Sequence, residues 1–113
     1  GSGKLPGYVD GPASSSEFNF PQGLAVTASG LIIIADAGNH VIRTLDLSSR
    51  TLEVATLAGS RVGASGMLDG VGVQAAFNTP AGVAIVDADT AVVADVKNHR
   101  LRFVDINTRA VTT

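Results

Sequence analysis

The chain has 113 residues, of which 45% are hydrophobic and 16% charged, with a formal net charge of −2. That length fits one domain at most, and a chain this apolar collapses rather than staying disordered. Three function classes lose their footing at once. No apolar run approaches the roughly 20 residues that span a bilayer, so no membrane partner is expected. Eight Lys and Arg against ten acids offer no footprint for a polyanion, so no nucleic acid is expected either. The absence of cysteine rules out disulfides and thiolate metal sites, and leaves the compartment open.

Gly1-Ser2-Gly3 reads as an added leader, and no signal-peptide pattern opens the sequence. A long loop, 4–20, carries Asp10-Gly11 and Phe18-Asn19. After Pro21-Gln22-Gly23, residues 23–27 form a short apolar run and predict the first strand. Ser29-Gly30 turns the chain. Residues 31–35 are apolar at every position, which predicts a strand buried on both faces. Ala37-Gly38-Asn39 supplies the next turn, 41–47 the third strand and Ser48-Ser49 another turn. Residues 52–57 alternate weakly and predict a fourth strand; 50–58 alone also fits a helix, but its context favours a strand. A long loop, 60–79, leads to further runs at 82–86, 91–94 and 100–106 and a stub from Ala110. Thirteen glycines and the lack of helical periodicity argue against long helices.

These runs form a repeat. Pro21-Gln-Gly-Leu-Ala-Val26 returns as Pro80-Ala-Gly-Val-Ala-Ile85, and Asp36, Asn39, His40, Arg43 and Asp46 return as Asp95, Asn98, His99, Arg102 and Asp105. Asp10-Gly11 and Phe18-Asn19 return as Asp69-Gly70 and Phe77-Asn78. The offset is 59 throughout, and without a gap 15 of 51 positions are identical between 4–54 and 63–113. Each copy holds four short strands joined by turns, a four-stranded antiparallel meander. Such a sheet is buried on both faces when neighbouring copies stack on it, as the blades of a β-propeller do. The missing alternation at 31–35 speaks against a sandwich or barrel, and the missing helices against a parallel α/β sheet.

The run Pro-x-Gly-apolar-Ala-apolar, then an apolar strand ending Ala-Asp, then Asn-His-x-apolar-Arg, resembles the NHL repeat. The triplet reads Asn39-His40-Val41 and Asn98-His99-Arg100, so its third member differs from the Leu of the name. The resemblance covers about 7–113 and implies an all-β chain of two four-stranded propeller blades. The first repeat spans about 4–59 and the second about 63–113, with its last strand cut short. About six blades close a ring in such proteins, and a stack of repeats needs at least three units. Either missing repeats lie on a longer chain, or copies associate. Three copies would give six blades through closing heterologous contacts, so a homotrimer is the favoured partner arrangement.

In an up-and-down meander the long loops share one end of the blade with the turns after Asp36 and Asp95. That end is the expected ligand face, with Tyr8, Asp10, Met67, Asp69 and Lys97 as its candidate binding residues. Asp36, Asn39, His40, Arg43, Asp95, Asn98, His99 and Arg102 read as structural members of the motif. The histidines are expected to hydrogen-bond the neighbouring loop, and Asp36 and Asp95 to accept backbone N–H groups. Asp10 and Asp69, each before glycine, read as turn formers. Arg43 and Arg102 are expected to pair with Asp46 or Asp105 or with a neighbouring blade, and Phe18 and Phe77 to join the core. No phosphate loop and no serine nucleophile stand out. The favoured function is a non-enzymatic scaffold presenting loops to a protein, peptide or small ligand, without a cofactor. The alternatives are a metal-dependent lyase or hydrolase with histidine-bound zinc in the pore, for which the resemblance offers a peptide-amidating precedent, and an excised or engineered repeat pair with no function of its own.

Overall fold

The computed structural model describes residues 10–12, 17–48, 52–60 and 65–113. In chain order its strands are β1 (Gly11–Pro12), β2 (Pro21–Val26), β3 (Leu31–Asp36), β4 (Val41–Asp46) and β5 (Glu53–Gly59). The second set is β6 (Gly70–Val71), β7 (Pro80–Asp87), β8 (Thr90–Asp95), β9 (Arg100–Asp105) and β10 (Ala110–Thr112). Short 3-10 turns fill 37–39, 72–74 and 96–98.

Two antiparallel sheets result, ordered β1-β5-β4-β3-β2 and β6-β10-β9-β8-β7. Each contains the four expected strands and a fifth of two residues taken from the long loop. β1 lies on β5 with Gly11 opposite Val54, and β6 on β10 with Val71 opposite Ala110. Two residues, one of them glycine, carry no periodicity that a sequence reading could detect. β5 is the strand whose sequence also fitted a helix. Its pairing with β4 along Val41–Leu45 shows tertiary context deciding a weak local preference. Pro80 opens β7 and Pro21 opens β2, the position at which a strand tolerates a residue without an N–H.

The sheets stack face to face. Ile33, Ala35, Ile42 and Leu57 of the first meet Ala91, Val93, Val104 and Val111 of the second, with Phe77 and Ala75 of the connecting loop in the same core. β2 and β7 run closest together. A Cβ at Gly23 would fall on the Ala81 carbonyl oxygen and within 3.1 Å of the Gly82 Cα, so only glycine lets these two backbones approach.

Residues 59 apart have contrasting environments. Ile42 is fully buried, whereas its equivalent Leu101 is 61% exposed. Ala37 is buried and its equivalent Val96 is exposed. On the opposite side the order reverses: Leu24 is 64% exposed, while its equivalent Val83 packs against the core. One face of each sheet is covered inside the pair, and the same two kinds of face remain open outside it.

Candidate functional site

Arg43 on β4 is fully buried and gathers the long loop around itself. Its NH1 donates to Asp36 Oδ2 at 2.9 Å and to the Glu17 carbonyl. Nε and NH2 both donate to Asp10 Oδ1, at 3.1 and 2.8 Å. The Phe18 ring lies beneath the guanidinium at 4.5 Å, a cation–π contact. Asp36, equally buried, accepts the Asn19 amide on Oδ1 and the Asn39 side chain on Oδ2, both at 2.8 Å. A buried charge is tolerated only when paired and hydrogen-bonded, and both conditions are met.

The second sheet repeats the arrangement. Arg102 NH1 donates to Asp95 Oδ2 at 2.7 Å and to the Ala76 carbonyl, NH2 to Asp69 Oδ1 and the Leu68 carbonyl. Phe77 lies under it at 4.8 Å. Asp95 accepts the Asn78 amide and the Asn98 side chain. The copies differ at one atom: Arg43 Nε is bonded to Asp10, whereas the buried Arg102 Nε finds no acceptor among the described residues. Asp69 is turned toward Thr113, whose hydroxyl donates to Oδ1 at 2.7 Å. That hydroxyl, with Arg102 behind it, holds the Asp69 carboxyl below the usual carboxylate range, partly opposed by desolvation.

Two expectations are corrected here. Arg43 and Arg102 do not pair with Asp46 or Asp105, because residues three apart on a strand point to opposite faces of the sheet. Asp46 instead accepts the Ser48 amide and hydroxyl, and Asp105 the Asn107 and Thr108 amides, closing turns. Asp10 and Asp69 are more than turn formers: they are the outer carboxylates of the arginine clusters. Their constant spacing of 33 residues from the arginine was visible in the repeat, but nothing local to them announced a buried partner.

The Asn-His turns do a second job. His40 and His99 adopt the left-handed conformation, with φ of 57° and 55°. His40 Nδ1 accepts the Thr79 amide at 2.9 Å, joining the first blade's turn to the second blade's loop. The proton of the neutral ring therefore sits on Nε2. Burial first, then the Lys97 charge, holds the His40 imidazole below its ordinary range, with Asp95 opposing. Thr79 was not anticipated, since a backbone amide leaves no mark in a sequence.

Of the candidate ligand-face residues, Tyr8 lies outside the described residues. Asp10 and Asp69 are committed to the arginines. Met67 and Lys97 are exposed and sit at one end of the second blade, where Asn98 Nδ2 donates to the Gly66 carbonyl and the Lys97 amide to the Asn78 carbonyl. Among the described residues no group of three or more His, Asp or Glu side chains converges to hold a metal ion. Arg43 and Arg102 are buried in ion pairs, which leaves the basic side chains available to a polyanion fewer still.

The arginine cluster, the Asp–Asn turn and the left-handed histidine coincide with the matched family profile. The profile described as NHL repeat matches residues 18–44 and again 77–102. The chain carries two NHL repeats. NHL repeat-containing protein 2 of Gallus gallus is 39% identical to this pair over 83% of the chain, and that of Bos taurus 32% over 94%. The protein named Suppressor of Quenching 1, chloroplastic, of Arabidopsis thaliana is 36% identical over 89% of the chain. The NHL pair spans only 9% to 14% of these relatives' lengths. Among solved structures, an auxiliary nutrient binding protein from Bacteroides ovatus superposes with a TM-score of 0.72 at 25% identity, over 88% of the pair and 26% of that chain. A protein of unknown function from Bacteroides thetaiotaomicron superposes at 0.71 and 23% identity, over 95% of the pair and 24% of that chain, a likeness of fold alone.

Proposed function

We propose that the NHL pair is a non-enzymatic scaffold: two propeller blades that join further blades into a closed ring and present the long-loop end to a protein, peptide or small ligand. The observation that carries this reading is the contrast between equivalent residues on the outer and inner faces. Leu101 and Phe103 lie open on the second blade where Ile42 is fully buried and Thr44 half-buried on the first. Leu24 and Val26 lie open on the first blade where Val83 and Ile85 are covered on the second. Each open face is of the kind that the other blade already covers, so a second pair fits against it as the blades fit each other. Such a contact is heterologous, and it closes when the rotation per blade divides a full turn.

The arginine clusters support the scaffold role. They pin the root of each long loop to the turn between the second and third long strands of its blade, which leaves Met67 and Lys97 displayed from a fixed base. The name of the Bacteroides ovatus neighbour, a nutrient binding protein, suits a ligand-presenting propeller. Three pairs supply the six blades favoured for the ring. Light scattering on a size-exclusion column tests the assembly: a single species of three times the 11.4 kDa chain mass is expected. A monomer at every concentration overturns self-assembly.

A further inference from the structure

The bond from the Thr79 amide to His40 Nδ1 crosses from one blade to the next at 2.9 Å. Shifted by the repeat length, the same two positions are Phe20 and His99. Both equivalents hold the backbone of their counterparts: φ is 53° at Phe20 and 58° at Thr79, 55° at His99 and 57° at His40. Among the described residues the Phe20 amide donates no hydrogen bond and the His99 ring accepts none. A donor is thus left over on one outer face of the pair and an acceptor on the other, each already shaped for the bond made inside.

We propose that the outer face of the second blade docks the first blade of a second copy of this chain, with His99 Nδ1 accepting the Phe20 amide hydrogen of that copy. The proposal rests on the ring reading above and resolves it to a contact. The surrounding surfaces agree. Gly82 stands where Gly23 stands in the first blade, and a Cβ there would meet only Ala94 at 3.7 Å, so the space that β7 fills beside Gly23 is open beside Gly82. The facing side of the first blade carries a hollow lined by Pro21, Gln22, Gly23, Leu24 and Ile34; the first four are the equivalents of Pro80–Val83 on β7, the strand that already packs against β2.

The bond needs a neutral imidazole, because a protonated ring has no lone pair to accept with. At the internal junction the charged groups facing His40 are Lys97 and Asp95. At the junction between copies their places fall to Gly38 and Asp36 of the docking copy. Lys97 and Arg100 flank His99 on its own chain, and Glu17 precedes Phe20 on the other.

The test is the solution mass of the whole chain between pH 8 and 5, for the wild type and for His99→Asn. Asparagine tolerates the left-handed backbone, and its Oδ1 accepts a hydrogen bond without titrating. The wild type should be a ring at pH 8 and dissociate toward pH 5, while His99→Asn stays assembled to lower pH. His99→Ala should weaken association at pH 8 by about fivefold per junction, the worth of one ordinary hydrogen bond. His40 is common to all three proteins, so a difference between them reports His99. A ring whose pH profile is unchanged in His99→Asn overturns the contact and leaves the ring standing. A monomer at every pH overturns the ring, and the contact with it.

Discussion

Arg43 and Asp36 meet at 2.9 Å with no solvent exposure on either side chain, and the pair ties β4 to the end of β3. Removing Arg43 strands Asp36 as an uncompensated buried charge, which costs about 3–5 kcal/mol, whereas Arg43 without Asp36 keeps Asp10 as its carboxylate partner. Arg43→Met should lower stability by that order in urea unfolding, and Asp36→Leu by less, because Asp10 still balances the arginine. The double variant should lose less than the sum of the two, because no fully buried charge is then left behind: Asp10, the remaining carboxylate, is partly exposed. Additive losses would mean that the pair does not act as a unit.

Gly23 and Gly82 separate the needs of a blade from the needs of a junction. A Cβ at Gly23 collides with the Ala81 backbone inside the chain, whereas at Gly82 it finds room. Gly23→Ala should therefore depress the thermal midpoint, by overpacking of about 1–3 kcal/mol. Gly82→Ala should leave the folded chain intact and act only on association between copies. Thermal unfolding and light scattering on both variants check this. A Gly82→Ala protein that still assembles would show that β7 is not approached as β2 is.

Much of this fold can be read from the sequence because the repeat states it twice. The apolar run at 31–35, the Pro-x-Gly entries and the Asp–Asn–His turns each have a local physical cause, and the offset of 59 supplies the stacking. Other features escaped. β1 and β6 are too short for a period to register. Asp10 looked like a turn former because its arginine lies 33 residues away, where only the folded chain brings them together. The Thr79 amide that meets His40 belongs to the backbone, to which sequence is blind. What the sequence states locally survives, and what it states only through long-range geometry has to be seen.

His40 sets a pH dependence whose sign is fixed. Burial and Lys97 lower its pKa in the folded chain, so the unfolded chain binds the proton more readily. The stability from this group is full above the ordinary histidine value of about 6.5 and is lost as pH falls through the lower folded value. Unfolding midpoints measured from pH 8 to 5 should decline over that window in the wild type. His40→Asn, which keeps an acceptor for the Thr79 amide, should flatten the decline. An equal slope in both proteins would remove His40 as its source.

Asp69 should respond to the loss of Thr113 rather than to its arginine alone. The Thr113 hydroxyl is the largest influence holding its carboxyl below the usual range, ahead of Arg102. Carboxyl NMR titration of Thr113→Val should therefore show the Asp69 midpoint moving up toward the ordinary aspartate value. Asp10, whose second oxygen takes the hydroxyl of Thr56 from within its own blade, should not move in that variant. Because the folded value of Asp69 is depressed, its contribution to stability stands above the ordinary carboxylate range and is lost as pH falls through the folded value. Thr113→Val should shift that acid loss to higher pH. An Asp69 midpoint unchanged without the hydroxyl would remove Thr113 as the cause of its lowering.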